Sequence, residues 1–451
     1  MRRALSWGAV LGLAMALQAE PLSLSQAMRQ AAQHSFKADA ARLERAVAKE
    51  ETTQSRSLFL PEVQFQGGHL NLDHQPGLIF GPVTVGPLNL GPLTVPAFSL
   101  GPMVTPLGDQ ASWRYKLSLQ YLVYDFGKRD SALGATQAKE RAIGLKGGDE
   151  IRRLQAEVAT RYVALLHIQA QREVLAQRRK ALEEHLKSVQ DLYQQGVVAR
   201  NDLLRTQVAL RTVGDAEGAL DSAEAGARES LNLSLGLEPT VPLELPKGLN
   251  APPILPWDEA ACRIRAGQSN EGVQALRAKV QALEAKVTFR HRDYAPNLVA
   301  EAFHSYEQNT YSAHPHEDGL YLGLSWKLFD GARASRIRQA NTELELGRRE
   351  VQEVERQAGN AAAAAFREVQ VALREVKTSE TNVAAAEENL RIVEDQYREG
   401  LARSTDALDA EAVLAESRFN LAARRYRAYA QQAALLAAMG EDLPAFYAKE
   451  Q

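Results

Sequence analysis

The second half of the sequence repeats the pattern of the first half, and this duplication limits the possible folds more than any other feature. An offset of 204 positions pairs Tyr162 with Phe366, Tyr193 with Tyr397, Gly196 with Gly400, Asp202 with Asp406, and Gly236 with Gly440. Self-similarity at a fixed spacing indicates copies of one supersecondary unit. We therefore expect two structural repeats, residues 20–236 and 256–440, joined by a Pro-rich linker (237–255) and followed by a C-terminal tail (441–451).

Each repeat is predicted to contain a helix, two strands, a long helix, a turn and a shorter helix. Apolar residues spaced three and four apart indicate packed or coiled helices: Ile151, Leu154, Val158, Leu165, Ile168 and Leu175, then Val383, Ala386, Leu390, Val393 and Tyr397. At about 1.5 Å per residue, a helix over residues 127–196 would extend roughly 100 Å, and one over residues 21–61 roughly 60 Å. These lengths predict a tall cylinder wall, although the spacing alone also allows a soluble coiled-coil rod.

Composition excludes several classes of function. The chain has 53 basic and 56 acidic side chains, a balance that offers no basic field for nucleic acid. Its single cysteine, Cys262, rules out a disulfide framework, and we expect it to be a small apolar filler. No nucleophile motif, phosphate-binding glycine loop or helical zinc signature is present, so we expect no enzyme, cofactor or metal site. For His304, His314 and His316 we expect a solvated polar loop.

The N-terminus indicates export from the cytoplasm. Arg2 and Arg3 precede an apolar run from Ala4 to Leu17, and Ala19 provides a small residue at the cleavage point. This pattern predicts a signal peptide over residues 1–19, because the run is too short for a stable membrane-spanning helix.

Segments of alternating apolar and polar residues predict strands at about 61–70, 113–124, 296–306 and 319–329. A half-buried soluble sheet is the alternative for each. The signal peptide, strand lengths near the 9 to 11 residues that cross a bilayer, and aromatics near strand ends favour membrane strands; these aromatics are Trp113, Tyr115, Tyr121, Tyr124 and Trp326. Four strands cannot close a barrel without unpaired backbone in lipid, so several chains must share one.

The first repeat carries about 31 additional residues between Leu70 and Trp113, with Gly-Pro dipeptides at residues 81, 86, 91 and 101. Proline at this spacing excludes a helix or a central strand over residues 76–108. We expect a loop outside the cell or against the outer leaflet, and flexible low-complexity filler is the alternative.

These motifs, taken in order and duplicated, make the chain resemble the TolC family of outer-membrane efflux proteins over nearly its whole mature length. The resemblance is carried by residues 21–27, by the junctions at 124–127 and 328–331, and by the turn motifs 193–202 and 397–406. It implies a mostly α fold with membrane β, in which a long helical-hairpin tunnel in the periplasm continues a trimeric β-barrel of four strands per subunit. The implied partners are two further copies in a homotrimer, outer-membrane lipid, a periplasmic adaptor (membrane fusion) protein and an inner-membrane pump or transporter.

The resemblance also implies roles for individual residues. Asp406 and Asp409 match an acidic pair that lines the lumen constriction, and the turns at Gly196 and Gly400 would contact the adaptor. Gating-network candidates are Asp202, Tyr397 and, as a possible substitute for a family arginine, Arg403. Independently of the family, paired carboxylates repeated around a narrow lumen favour cations, whereas an Asp near a turn is often only a helix cap.

Two classes of function follow from the sequence. The first is an exit duct in the cell outer membrane, with a large periplasmic portion, that serves a tripartite efflux pump or a type I secretion system. The second is a soluble periplasmic coiled-coil adaptor or scaffold, which would lack paired, aromatic-bearing strands of membrane length in both halves. The cargo and the class of pump do not follow from the sequence.

Overall fold

The computed structural model describes residues 21–248 and 252–448, so the predicted signal peptide lies outside the described residues. The helices in these ranges are α1 (Leu24–His34), α2 (Phe36–Ser57), α3 (Lys128–Gln194), α4 (Arg200–Ser234), α5 (Glu259–Ser269), α6 (Glu271–Arg292), α7 (Arg333–Arg398), α8 (Ser404–Met439) and α9 (Leu443–Ala448). The strands are β1 (Glu62–Asn71), β2 (Gly77–Phe80), β3 (Val83–Val85), β4 (Leu88–Leu90), β5 (Leu93–Val95), β6 (Phe98–Leu100), β7 (Met103–Pro106), β8 (Ala111–Tyr124), β9 (Asn297–Glu307) and β10 (His316–Ser325). None of the helices described here combines the length and the apolar character that a membrane span requires.

The described residues form two compact units. The first is helical and comprises the chain up to Val47, Glu140–Lys279 and the chain from Gly347 onward. The second comprises Ala48–Lys139 and Val280–Leu346 and holds every strand of the described chain. Apolar side chains that share one buried core dominate the first unit: Leu24, Met28, Leu154, Val158, Tyr162, Leu165, Leu231, Leu435, Leu436 and Met439. Three of the regularly spaced apolar residues predicted in α3 thus lie in this core, namely Leu154, Val158 and Leu165.

A single helix over residues 21–61 is wrong, because the chain breaks at Ser35 into α1 and α2. Ser35 has an extended backbone (φ −75°, ψ 154°), and its hydroxyl accepts a hydrogen bond from the Ala38 N–H at 3.2 Å. The second repeat breaks at the equivalent Asn270, whose Oδ1 accepts from the Val273 N–H at 3.2 Å. Ser and Asn are preferred N-cap residues, so both repeats restart the helix in the same way.

Two glycines in the left-handed conformation explain where these breaks lie. Gly236 and Gly440 follow α4 and α8 with φ of +74° and +77°. A Cβ at Gly440 would lie 2.6 Å from the Ser269 carbonyl oxygen, and one at Gly236 would lie even closer to that of His34. The end of each shorter helix therefore packs directly on the backbone at a helix break, which only glycine allows.

The main sheet is antiparallel, with strand order β1-β8-β9-β10. The last strand differs from its predicted range of 319–329, because β10 begins at His316 and ends at Ser325. Ser325 pairs with Asn297, and the preceding residue of that partner strand is Pro296, which has no N–H to extend the ladder. Trp326 therefore follows the strand instead of lying within it.

Aspartate caps begin the long helix α3 and, in similar form, α7. Asp125 is buried, and its carboxylate accepts hydrogen bonds from the Gly127 N–H at 3.1 Å and the Arg129 N–H at 2.7 Å. Gly127 has a φ of +80°. At the second junction Asp330 accepts from the Ala332 N–H at 3.0 Å. The motif shared by the two junctions is thus an aspartate that caps the start of a long helix.

Residues 76–108 form an ordered β-ribbon. Three short antiparallel pairs follow one another, β2 with β7, β3 with β6, and β4 with β5. Each pair is only three or four residues long, in agreement with the exclusion of a helix or a central strand. We call this segment the Gly-Pro ribbon.

The predicted C-terminal tail contains the helix α9. Leu443 and Tyr447 are buried, and the Tyr447 hydroxyl lies 3.2 Å from Gln432 Oε1. Apolar residues at 443, 446 and 447 have helical spacing, so a short amphipathic helix was readable in the sequence.

Replacing Gly236 by Ala should destabilise the protein by about 1–3 kcal/mol or more, because Ala is strained at positive φ and its Cβ meets a backbone carbonyl. The matched control is Gly218→Ala within α4, where a Cβ meets nothing within 4 Å; there we expect a gain of about 0.5–1 kcal/mol. The midpoint of thermal unfolding, followed by circular dichroism in detergent, measures both. Equal midpoints for the two variants would contradict the packing described here.

Candidate functional site

Two equivalent turns connect α3 with α4 and α7 with α8. Gly196 and Gly400 have φ of +74° and +75°, and a Cβ at either position would meet nothing within 4 Å. The Val197 N–H bonds to the Leu192 carbonyl at 2.9 Å, and the Leu401 N–H bonds to Gln396 at 2.8 Å. This is the glycine-terminated helix end that satisfies the last carbonyls. Val197 and Leu401 are 66% and 76% exposed, so each turn has an exposed apolar side chain.

Near these turns a polar cluster joins three helices. His185 of α3 places Nε2 2.9 Å from Ser404 Oγ of α8, and its ring lies 5.2 Å from the ring of Tyr397 of α7. The Tyr397 hydroxyl is buried without a hydrogen bond of ordinary geometry in the described chain. The sequence had selected Tyr397 but had missed His185 and Ser404.

Asp202 of α4 acts on this cluster through its charge. Burial lowers the pKa of His185, and the Asp202 carboxylate opposes that shift. Burial and the same carboxylate raise the pKa of Tyr397, which the Ser404 hydroxyl partly offsets. The structure thus brings two of the predicted gating residues, Asp202 and Tyr397, to one place, where burial disfavours the charged forms of the His185 and Tyr397 rings.

The Asp406 side chain makes a helix-capping hydrogen bond, whereas the Asp202 side chain makes none in the described chain. The N-cap of α4 is Ala199, without a side-chain cap. At the start of α8, Asp406 Oδ2 accepts a hydrogen bond from the Arg403 N–H at 2.9 Å. The Arg403 side chain forms no ion pair with any residue that the structure describes. Asp406 and Asp409 are both exposed on one face of α8, and Asp409 has no side-chain partner in the described ranges.

A partly buried ion pair, which the sequence analysis did not select, joins α3 and α8 in the same region. Arg178 Nε lies 3.0 Å from Glu411 Oε2. Burial raises the pKa of Glu411, and the Arg178 guanidinium opposes this shift. Breaking a partly buried pair leaves one charge without compensation, so this contact resists separation of the two helices.

The duplication itself carried the missing signal. At the offset of 204, His185 corresponds to Asn389, Ser404 to Arg200, and Asp409 to Arg205. The polar residues of this end therefore include positions at which the two repeats differ. Similarity between the repeats located the turns, Asp202 and Tyr397, whereas His185, Ser404 and Asp409 lie at positions where the repeats differ.

The four-stranded sheet of the second unit has one apolar face. Its register places Val63, Leu119, Ala302 and Leu320 in one row across all four strands. The exposed apolar side chains of that face continue along the strands: Phe65, Leu117, Tyr121, Val123, Leu322 and Leu324. Such a continuous exposed face needs an apolar environment outside the single chain.

The opposite face of the sheet carries paired charges. Lys116 lies 2.8 Å from Glu301, and Arg114 lies 2.7 Å from Glu307, both across β8 and β9. One apolar face and one ion-paired face suit a sheet with lipid on one side and water on the other.

Aromatic side chains lie at both ends of the apolar face. At one end Trp113, Tyr115 and Tyr306 stack with ring centroids 6.1 to 6.2 Å apart. Tyr121 and Tyr124 lie toward the other end of β8, where the Trp326 indole donates to the Tyr294 carbonyl at 3.0 Å. From Trp113 to Tyr124 the strand advances about 36 Å at about 3.3 Å per residue, which matches a tilted strand with an interfacial aromatic group at each end.

The expectation of a polar loop for the histidines is wrong for two of them. His304 and His316 lie in β9 and β10, because the ladder continues to the pair Tyr306–His316. His304 Nδ1 lies 2.7 Å from Asp318 Oδ1. In the part of the chain that the structure describes, no three His, Cys, Asp or Glu side chains are grouped to hold a metal ion.

Comparisons with known proteins find similarity in sequence and in fold. A family model described as "Outer membrane efflux protein" matches residues 27–237 and 265–441. Protein CyaE of Bordetella pertussis is 28% identical over 342 residues, which cover 72% of this chain and 70% of CyaE. The outer membrane protein VceC of Vibrio cholerae has a TM-score of 0.70 at 16% identity, covering 93% of this chain and 96% of VceC. The open MtrE outer membrane channel of Neisseria gonorrhoeae has a TM-score of 0.72 at 15% identity, covering 93% and 89%. The predicted fold class is thereby confirmed.

The lowered pKa of His185 predicts a dependence of stability on pH. Since the unfolded chain binds the proton first, stability is fully present above about pH 6.5 and falls as the pH drops below that value. In His185→Asn the unfolding midpoint should fall less steeply between pH 7 and pH 5, because the unfolded variant has one fewer site that takes up a proton. His74→Asn, at an exposed position, is the control and should keep the parent slope. If the unfolding midpoint depended on pH with the same slope in the parent and both variants, His185 would not contribute to the pH dependence.

Proposed function

Because the chain belongs to the outer membrane efflux protein family, we propose that it is the exit duct of an efflux or secretion machine, through which cargo leaves the cell. The family is one of outer-membrane channels with a large periplasmic helical portion. The observation that carries the proposal is the four-stranded sheet, which is apolar on one face, ion-paired on the other and open at both edges.

The open edges support a homotrimer. In lipid, each unpaired backbone N–H or C=O costs several kcal/mol, so β1 and β10 of one chain need β10 and β1 of its neighbours. Three copies would pool twelve strands into one closed barrel, and the charged pairs on the other face would line its water-filled interior. The subunit number comes from the family.

The two exposed turns support docking of a periplasmic adaptor, behind which an inner-membrane pump or transporter would load the cargo. Val197 and Leu401 present apolar side chains next to Gly196 and Gly400, in matching positions of the two repeats. An adaptor that binds one turn would therefore find a second, similar surface on the same chain.

The alternative function is a soluble periplasmic scaffold, and the apolar sheet face counts against it. Expression in a Gram-negative host distinguishes the two. The duct should appear as a trimer, resistant to mild heating, in the detergent-solubilised outer-membrane fraction, and the purified trimer should conduct ions in a planar bilayer. Recovery as a water-soluble monomer from the periplasm would overturn the duct and favour the scaffold.

The acidic pair of α8 supports a constriction that prefers cations. Asp406 and Asp409 are exposed and three residues apart, so they lie on one side of the helix. In a trimer they would place six carboxylates around one axis and concentrate negative potential in a narrow lumen. Asp202 and Tyr397, with His185 and Ser404, would hold the neighbouring helices in the closed arrangement, and Arg403 remains a candidate for that network.

The double variant Asp406→Asn/Asp409→Asn should lower the ratio of cation to anion permeability in single-channel recordings, because it removes six charges from the trimer. Asparagine keeps an oxygen that can accept from the Arg403 N–H, so helix capping is retained. Glu388→Gln, an exposed acidic position on α7, is the matched control. Unchanged selectivity in the double variant would show that the pair does not line the constriction.

A further inference from the structure

The Gly-Pro ribbon differs in composition from the rest of the chain. From Gln75 to Gly108 there is no Asp, Glu, Lys, Arg or His, although charged residues make up 24% of the whole sequence. Most of its apolar side chains are exposed, including Ile79, Leu90, Leu93 and Met103. An exposed apolar surface without any charge is unusual for a segment surrounded by water.

The five-residue repeat produces an ordered ladder. In the tip pair, Leu88 faces Val95, Asn89 faces Thr94, and Leu90 faces Leu93. The turn residue Gly91 has a φ of +73° and precedes Pro92, a combination suited to a two-residue hairpin. β3 and β6 continue the same register with Val83 opposite Leu100 and Thr84 opposite Ser99.

Within the tip pair the two sides of the ribbon differ. Opposed residues of an antiparallel pair point to the same side, and neighbours along a strand point to opposite sides. Leu88, Leu90, Leu93 and Val95 therefore share one side, while Asn89 and Thr94 lie on the other. One side is purely aliphatic, and the other offers neutral hydrogen-bonding groups.

The base of the ribbon is fixed beside the aromatic end of the sheet. The Leu72 N–H bonds to the Gln110 carbonyl at 2.9 Å, which extends the ladder of β1 and β8 past Trp113. Asp109 accepts from the Thr310 N–H at 2.7 Å and from its hydroxyl at 2.9 Å. The ribbon is thus continuous with the surface that faces lipid, at the depth where aromatic side chains mark a membrane interface.

Backbone chemistry decides between lipid and a second copy as the group that covers the ribbon. Prolines at residues 82, 87, 96, 102 and 106 interrupt both edges, and each lacks the N–H that pairing with another strand would need. The other outward backbone N–H and C=O groups along these edges have no hydrogen-bond partner in the ribbon. Unpaired backbone groups are too costly in the hydrocarbon core, so the ribbon does not lie there. The boundary between acyl chains and headgroups satisfies both conditions, since apolar side chains and hydrated backbone lie side by side there.

We propose that the Gly-Pro ribbon is a lipid-binding element that lies in the acyl–headgroup boundary of the outer leaflet, with Leu88, Leu90, Leu93 and Val95 toward the acyl chains. The proposal rests on the outer-membrane placement of the sheet. Its ligand is the lipid surface itself, and the neutral Asn89 and Thr94 face headgroups and water.

Single tryptophans test this in the full-length trimer, reconstituted in vesicles of phosphatidylcholine brominated at the 6 and 7 positions of one acyl chain. Leu90→Trp reports the aliphatic side, Asn89→Trp is the matched control on the other side, and Leu117→Trp on β8 reports the lipid face of the sheet. After subtraction of the parent signal, quenching by bromine should be at least about twofold greater for Leu90→Trp than for Asn89→Trp. Labelling by a membrane-impermeant maleimide should be correspondingly slower for Leu90→Cys than for Asn89→Cys.

The outcomes separate the proposal from the function on which it depends. Quenching of Leu117→Trp without quenching of Leu90→Trp would overturn the ribbon proposal and leave the duct intact. So would efficient disulfide formation between Leu90→Cys subunits of one trimer, which would make a second copy the partner. Failure of Leu117→Trp to respond would instead overturn the membrane placement of the sheet.

Discussion

The need to pair every backbone polar group in lipid is the constraint on which this architecture depends. A sheet of four strands leaves the edges of β1 and β10 open, and only neighbouring copies of the chain can pair them without a new element. A related constraint acts on the side chains: apolar and charged residues separate between the two faces of β8, as a sheet with lipid on one side and water on the other requires. Assembly and membrane insertion of this protein therefore depend on the same hydrogen bonds between strands.

The two repeats share the backbone features that define the fold and differ in part of their polar side chains. The helix breaks at Ser35 and Asn270, the glycines that pack on them, and the turns at Gly196 and Gly400 recur in both repeats because they are set by backbone geometry. The polar cluster recurs only in part: Tyr397 and Asp202 have identical counterparts, but His185 and Ser404 correspond to Asn389 and Arg200. A pseudo-symmetric scaffold thus holds an asymmetric set of polar contacts near its turns.

Much of this fold could be predicted from the sequence because its signals are local and repeated. Alternation in β8, the Asp-Gly junctions and the spacing of the long helices are all readable without partners. Ser35 was missed because a single serine within a helical pattern gives little warning of a break, and the decisive contact comes from Gly236, 201 positions later. His185 and Glu411 were missed for a related reason, since their partners Ser404 and Arg178 lie on other helices. Contacts between residues far apart in the chain produce no periodic pattern in the sequence.

The register of the Gly-Pro ribbon restricts how this segment can change in length during evolution. Gly81-Pro82 lies opposite Gly101-Pro102, and each three-residue ladder faces another of its kind. Gain of a five-residue unit on one strand alone would leave that unit without a partner, so growth must occur in matched pairs. Each such pair would lengthen the ribbon by about 16 Å at about 3.3 Å per residue. Relatives that carry this ribbon should therefore differ from one another by multiples of ten residues, and a difference of five should be rare.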